Sequence, residues 1–222
     1  DVDEVMGALL LGRDRIISPR YMAGGMGDGG ACHPRDNIAL SYLAGQLGMS
    51  FDWFGNIMLQ RQRQSDWLAD LVEQHAQSLP VCILGRAFKA CCSIETGSSA
   101  VLLGNILEQR GLQPFHYDPY IDSLQPPPTG RPYCYFIGTR HPEFRSFAYE
   151  PGSVVIDPWR YIDDRPGVRV VRIGTRQTPP PDFPGGRAEA LFRTPLDAAI
   201  CIPTLNEGTS ITGILKRVCA AM

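Results

Sequence analysis

Pro80-Val81-Cys82-Ile83-Leu84-Gly85 is a proline, four apolar residues and a glycine, and it breaks the pattern of everything before it. A short run with no polar residue on either side of the pleat suits a strand buried on both faces, as in parallel sheets. Downstream, residues 98–110 carry a helical pattern, with Ser98 or Ser99 as the cap and Gly111 as the stop. Phe115-His116-Tyr117-Asp118-Pro119, Cys134-Tyr135-Phe136-Ile137 and Ser153-Val154-Val155-Ile156-Asp157 read as three more strands. Strands alternating with a helix, with aspartates at strand ends, predict an α/β fold with a Rossmann-like parallel sheet over residues 80–174. The proline-rich stretch 125–132 (QPPPTGRP) is an insertion between the second and third strands.

Upstream of Pro80 the pattern is helical. Val2, Val5, Met6 and Leu9 share a face of a helix over 1–11, and a Gly/Pro-rich loop follows from Gly12 to Pro34. A second helix is predicted to start near Pro34, since proline is tolerated in a first turn, with Ile38, Tyr42, Leu43 and Leu47 as its stripe. A third runs from about Phe54 to Gln77; its middle, Gln60 to Gln64, is wholly polar, which suits a helix that bridges two bodies or packs on a partner subunit. Residues 1–79 thus form a central helical segment, 80–174 the sheet domain, and 175–196 (with TRQTPPPDFPGGR) a linker. Residues 197–222 begin another strand and helix that cannot bury a core alone.

Bulk properties are those of a globular protein: 222 residues, 44% hydrophobic and 20% charged. A net charge of −2 leaves no electrostatic footprint for nucleic acid, and no apolar run is long enough to span a bilayer. Seven cysteines without CxxC pairs or zinc-ligand spacing read as reduced thiols in a cytoplasmic protein without a metal site. Opening on Asp1, directly into a helix, the chain reads as a fragment. His75 and His141 read as surface histidines, vicinal Cys91-Cys92 as packed thiols, and Trp53 and Trp67 as packing or interface anchors.

The chemistry concentrates in Gly25-Met26-Gly27-Asp28-Gly29-Gly30-Ala31-Cys32-His33-Pro34-Arg35-Asp36. Glycines let backbone approach a ligand closely, and a cysteine at a helix N-terminus sits where the dipole favours its thiolate. Asp36, one turn on, can hold a proton or a water beside it. The string resembles the GxGxGGxCxPKD signature of the UDP-glucose/GDP-mannose dehydrogenase family. Collinear stretches agree: Val2-Asp3-Glu4-Val5 and Arg15-Ile16 before the loop, Leu84-Gly85-Arg86-Ala87-Phe88-Lys89, His116-Tyr117-Asp118-Pro119-Tyr120, and Val154-Val155-Ile156-Asp157. The resemblance covers roughly residues 1–174.

What it implies is an NAD-dependent, two-step oxidation of a nucleotide sugar's C6 alcohol to a carboxylate, a UDP-sugar first among the candidates. Cys32 would capture the intermediate aldehyde as a thiohemiacetal and then a thioester, and Asp36 would help activate water. Arg15, Gly27, Gly29, Gly30, Phe88 and Lys89 would bind the substrate, Lys89 at its diphosphate. Gly30, Cys32 and Thr96 would meet NAD. The family also implies a homodimer built on its central helices and an N-terminal NAD-binding domain preceding residue 1, without which this chain should oxidise nothing. Two departures stand out: Asp28 replaces an apolar residue, and Thr96 stands where an arginine would hold cofactor phosphate. A non-catalytic nucleotide-sugar-binding or oligomerisation module is the competing reading. Cys201-Ile202-Pro203-Thr204-Leu205-Asn206-Glu207, followed by Ser210-Ile211, is similar to the opening of family 2 glycosyltransferases and implies a fusion of the two activities.

Overall fold

The computed structural model describes residues 1–12, 14, 23–27, 30–121 and 125–175, all within one compact unit spanning Asp1–Asp182. The segment read as a glycosyltransferase opening, 197–222, and residues 176–196 of the linker lie outside the described residues.

Helix α1 (Val2–Leu10) is capped by Asp1, whose carboxylate accepts from the Asp3 amide at 2.8 Å, with Asp3 and Glu4 in the first turn to complement the dipole. None of its residues is buried, so the apolar face read from the sequence is largely open, with Val5 and Leu9 exposed. Helix α2 (Cys32–Gln46) starts two residues before Pro34, which therefore sits within the first turn, where its missing N–H costs no bond. Its one buried residue is Ala44, and the stripe of Ile38, Tyr42, Leu43 and Leu47 faces outward. Helix α3 (Trp53–Ala76) is capped by Asp52, which accepts from the Gly55 amide and from Ser41 of α2. Its second half buries Leu68, Ala69, Leu71, Val72 and Ala76 against the sheet, while its first half packs beside α2.

The sheet is five-stranded, wholly parallel and ordered β2-β1-β3-β4-β5, from β1 (Val81–Leu84), β2 (Phe115–Tyr117), β3 (Cys134–Ile137), β4 (Val154–Asp157) and β5 (Arg169–Arg172). All residues of β1, β3 and β4 are buried, as the continuous apolar runs require. Edge strand β5 was not foreseen: Arg169-Val170-Val171-Arg172 puts arginines at both ends of a four-residue run and is only half-buried.

The pleat sends alternate residues to two cores. Val81, Ile83, Cys134, Phe136, Val154 and Ile156 join α3 and helix α4 (Ser99–Gln109). Cys82, Leu84, Tyr135, Ile137 and Val155 join Tyr133, Phe144, Tyr149 and Ile162. On this second face the described residues contain only a short 3-10 helix, Pro142–Arg145, and edge-to-face rings of Tyr117, Tyr135, Phe144, Phe147 and Tyr149 provide the cover. Each fully buried large side chain contributes about 1.5–3 kcal/mol of burial.

The strand order reverses between β1 and β3, so the crevice beyond their carboxyl ends is where an open α/β sheet takes a ligand. Among the described residues no helix is long and apolar enough to cross a membrane, and no three His, Cys, Asp or Glu side chains are grouped to hold a metal ion.

Candidate functional site

Two pieces of backbone meet at the carboxyl end of the sheet: the connection from β1 to α4, which carries Phe88, Lys89 and Thr96, and the glycine loop that leads into Cys32. The first leaves β1 through Gly85 (φ +90°), where a Cβ would lie 2.5 Å from that of Thr139 on the neighbouring β3 connection. Only glycine allows the two to pass so closely.

The connection then hangs on Asp118 at the end of β2. Asp118 Oδ2 accepts from the amides of Arg86 (2.7 Å) and Ala87 (2.9 Å), and Oδ1 from Tyr120 (2.9 Å). His141 Nε2 lies 3.0 Å from Oδ2, and its Nδ1 accepts from the Cys91 amide at 3.2 Å. With Nδ1 accepting, Nε2–H is the end that donates to Asp118. Burial pushes the Asp118 carboxyl up, but His141 and the three amides outweigh it and hold the group down at about 2. His141, read from the sequence as a surface histidine, is fully buried: its two ring nitrogens tie Asp118 to the Cys91 backbone, a role with no local signature. His75 is half-buried beside Arg169. Further along, the Phe88 amide donates to Ile94 O at 2.9 Å, and Arg86 pairs with Glu95 at 2.5 Å.

The glycine loop lies across this connection. Met26 is buried with α3 and α4. A Cβ on Gly25 would fall 2.1 Å from the Trp159 ring, so the loop rests directly on that indole. The equivalent position on Gly27 faces Gln64 Oε1 at 3.1 Å and Ser99 Oγ at 3.9 Å. Gly30 (φ +94°) donates to Gly97 O at 3.2 Å and faces the Phe88 ring at 3.3 Å. Gly97 (φ +76°) touches Gly30 so closely that a Cβ would sit 2.3 Å from its carbonyl carbon. Next to it Ser98 caps α4, its Oγ accepting from the Ala100 amide.

Cys32, exposed, opens α2, and Asp36 follows one turn later. Arg35 donates to Asp36 at 2.8 Å; that bond, the carboxylate's charge and the neighbouring Cys32 sulfur raise its guanidinium above the ordinary value, and the same bond lowers Asp36. Lys89 is exposed, with Nζ 5.2 Å from the centroid of the Phe88 ring. Between α2 and α3 a cleft of about 280 Å³ is lined by His33, Asn37, Ile57, Gln60, Arg61 and Gln64, so the polar middle of α3 borders the glycine loop.

Gly27, Gly30, Phe88 and Thr96, by way of its neighbour Gly97, are thus gathered at one place, with Cys32 two residues beyond Gly30. Arg15, Gly29 and Asp28 lie outside the described residues. Gln64, Gly97, Trp159 and Arg160 were not singled out from the sequence, and Ser99 only as a candidate helix cap. A glycine just before a Ser cap gave a faint signal for Gly97; the others are brought to the site only by tertiary packing.

The central-domain model of the UDP-glucose/GDP-mannose dehydrogenase family matches residues 1–59, which include the cysteine loop. GDP-mannose 6-dehydrogenase of Pseudomonas aeruginosa is 32% identical over 113 residues, 51% of this chain and 26% of that protein. UDP-glucose 6-dehydrogenase TuaD of Bacillus subtilis is 27% identical over 122 residues, 54% of this chain and 26% of that protein. The chain thus spans about a quarter of the length of these curated relatives. Among solved structures, a UDP-glucose dehydrogenase from Pyrobaculum islandicum has a TM-score of 0.62 at 22% identity, covering 76% of this chain and 42% of that one. A GDP-mannose dehydrogenase from Pseudomonas aeruginosa has a TM-score of 0.59 at 22% identity, with coverage of 76% and 45%. These two structures share the fold. By its cysteine loop, its central-domain match and its curated relatives, the chain is similar to the UDP-glucose/GDP-mannose dehydrogenase family.

Proposed function

We propose that this chain supplies the cysteine-bearing, nucleotide-sugar-binding part of a nucleotide-sugar 6-dehydrogenase. The observation that carries the reading is the docking of the cysteine loop on the Phe88 and Gly97 connection at the sheet's switch point, where Gly30 bonds Gly97 and faces Phe88. The substrate is a UDP- or GDP-hexose, with UDP-glucose the first to test. In this reading Phe88 and Lys89 meet the nucleotide sugar, the ammonium beside its diphosphate, and Arg15 and Gly29 complete the contacts.

The described residues do not fit a whole NAD. The β1–α4 connection is long rather than a tight glycine turn, and the amide end of α4 is closed by Ser98 and covered by Gly30. Gly30, Cys32 and Thr96 offer at most an edge to the dinucleotide, whose main site belongs to a domain outside them.

Cys32 works between the two oxidations. Its Sγ adds to the C6 aldehyde carbon, and the carbonyl oxygen gains a proton, giving a thiohemiacetal that keeps a reactive aldehyde in place. With NAD as the hydride acceptor, the thiohemiacetal would become a thioester, and water would then cleave its C–S bond, releasing the carboxylate and restoring the Cys32 thiol. Asp36, held ionised by Arg35, is suited to orient that water through a hydrogen bond.

Calorimetric titration with UDP-glucose, UDP-GlcNAc and GDP-mannose tests the reading. Binding of one of them, lost on Lys89→Ala, supports it; no binding to the complete protein sinks it. Thr96 and the lack of a dinucleotide cradle among the described residues favour one alternative, a module that binds the sugar without oxidising it. Cys32→Ser separates the two, since it should abolish turnover by the complete protein only if Cys32 is the nucleophile.

A further inference from the structure

Trp159 and Arg160, consecutive residues after β4, grip consecutive residues of the cysteine loop. The indole lies under Gly25, with its N–H donated to Ile137 O at 3.0 Å. The guanidinium of Arg160 donates to Gly24 O (3.0 Å), to the Asp3 carboxylate (2.7 Å), to Ile173 O (3.2 Å) and to Pro158 O. The Arg160 side chain is only 7% exposed, so these four acceptors replace water almost completely. They come from three places far apart in sequence: the start of the chain, the cysteine loop and the end of the sheet.

The backbone is arranged to deliver this side chain. Arg160 is a non-glycine residue at φ +56°, a conformation that persists only when its surroundings impose it. Buried Asp157 imposes it, Oδ1 accepting from the amides of Trp159 and Arg160 and Oδ2 from those of Tyr161 and Ile162. A planar fork of five N–H donors can reach several carbonyls and a carboxylate at once; an ammonium with three donors on a flexible stem cannot reproduce that span.

We infer that Arg160 is a positioning residue for the cysteine nucleophile: it fixes the entry to the loop through Gly24, so that Gly30 meets Gly97 and Cys32 is presented at the start of α2. The catalytic part of this inference rests on the dehydrogenase reading; the grip on the loop does not.

Hydrogen–deuterium exchange on the 222-residue chain, read peptide by peptide, tests the grip. Arg160→Met should speed exchange in the peptide containing residues 23–31 about tenfold or more, with β1 and β3 peptides unchanged and Cys82 and Cys134 still refractory to alkylation. Arg160→Lys should restore protection in α1 through Asp3 and leave the loop fast. Unchanged loop exchange in Arg160→Met would overturn the inference. So would parallel acceleration of all peptides with alkylation of the two buried thiols, since that marks a general structural role. In the complete enzyme, Arg160→Met should lower kcat at least tenfold while the KM for the sugar nucleotide changes less than threefold; a rise in KM alone would overturn the catalytic part. If the wild-type complete protein oxidises no sugar nucleotide, the dehydrogenase reading fails and the exchange result still decides the grip.

Discussion

A Cβ at Gly97 would lie 2.3 Å from the Gly30 carbonyl carbon, at a residue with φ +76°. Gly97→Ala therefore meets backbone that cannot move aside without releasing the loop, and should cost about 1–3 kcal/mol. A urea titration checks the magnitude, and wild-type stability would show that the loop docks elsewhere. Asp118 makes a pH-dependent contribution whose sign is fixed by its geometry. Its carboxyl, held at about 2 against an ordinary 3.8, favours the folded state fully above about pH 4, and this is lost as the pH falls toward 2. In Asp118→Asn the part of the acid destabilisation between pH 4 and 2 that belongs to this group should vanish, seen by comparing denaturation midpoints of the two proteins across that range. The cysteines divide in the same physical way. Burial pushes the Cys82 and Cys134 thiols up, Cys134 to about 12, whereas Cys32 and Cys91 are exposed. Brief alkylation in native buffer should modify Cys32 and Cys91 and spare the two buried thiols, as peptide mass spectrometry would reveal.

At the scale of elements, the strands buried on both faces were the most legible part of the sequence, because β1, β3 and β4 leave no pleat position for a polar side chain. The cap of α4 was equally readable: Ser98 is buried and its Oγ closes the first turn. Ser98→Ala should lower stability by about 0.5–2 kcal/mol in a denaturant titration; no change would mean that the glycine loop above it closes the helix end unaided. The helical segment was less legible in its consequences. Periodicity located α1 and α2, yet it cannot distinguish a stripe facing the protein's own core from one left uncovered, and most of these two stripes are uncovered. In the site, the glycine loop and the Phe88-Lys89 turn announced themselves by composition. His141 and Arg160 did not, because Asp118 and Cys91, which His141 joins, and Asp3 and Gly24, which Arg160 joins, lie more than twenty residues away along the chain.

For the whole molecule, most of the exposed large apolar side chains among the described residues lie in one region. Ile38, Tyr42, Leu43, Leu47, Met49, Phe51 and Trp53 are exposed along α2 and the start of α3, more than a lone globular surface usually leaves in one region. A homodimer through this face is the expectation, and sedimentation velocity of Tyr42→Glu against the wild type tests it. A dimer converted to monomer supports the face as the interface, and an unaltered dimer moves the interface elsewhere.

Trp159 gives the molecule one further property. Its indole is pinned to Ile137 O and roofed by Gly25, whereas Trp53 is exposed and Trp67 is a partly buried residue of α3 packed against the core. With the other two replaced by phenylalanine, its emission becomes an optical gauge of the cysteine loop: blue-shifted and shielded from quenchers while Gly25 sits on the ring, red-shifted once the loop lifts. The seat of the loop is therefore visible in real time in a stopped-flow cuvette, without a label and before any product is formed.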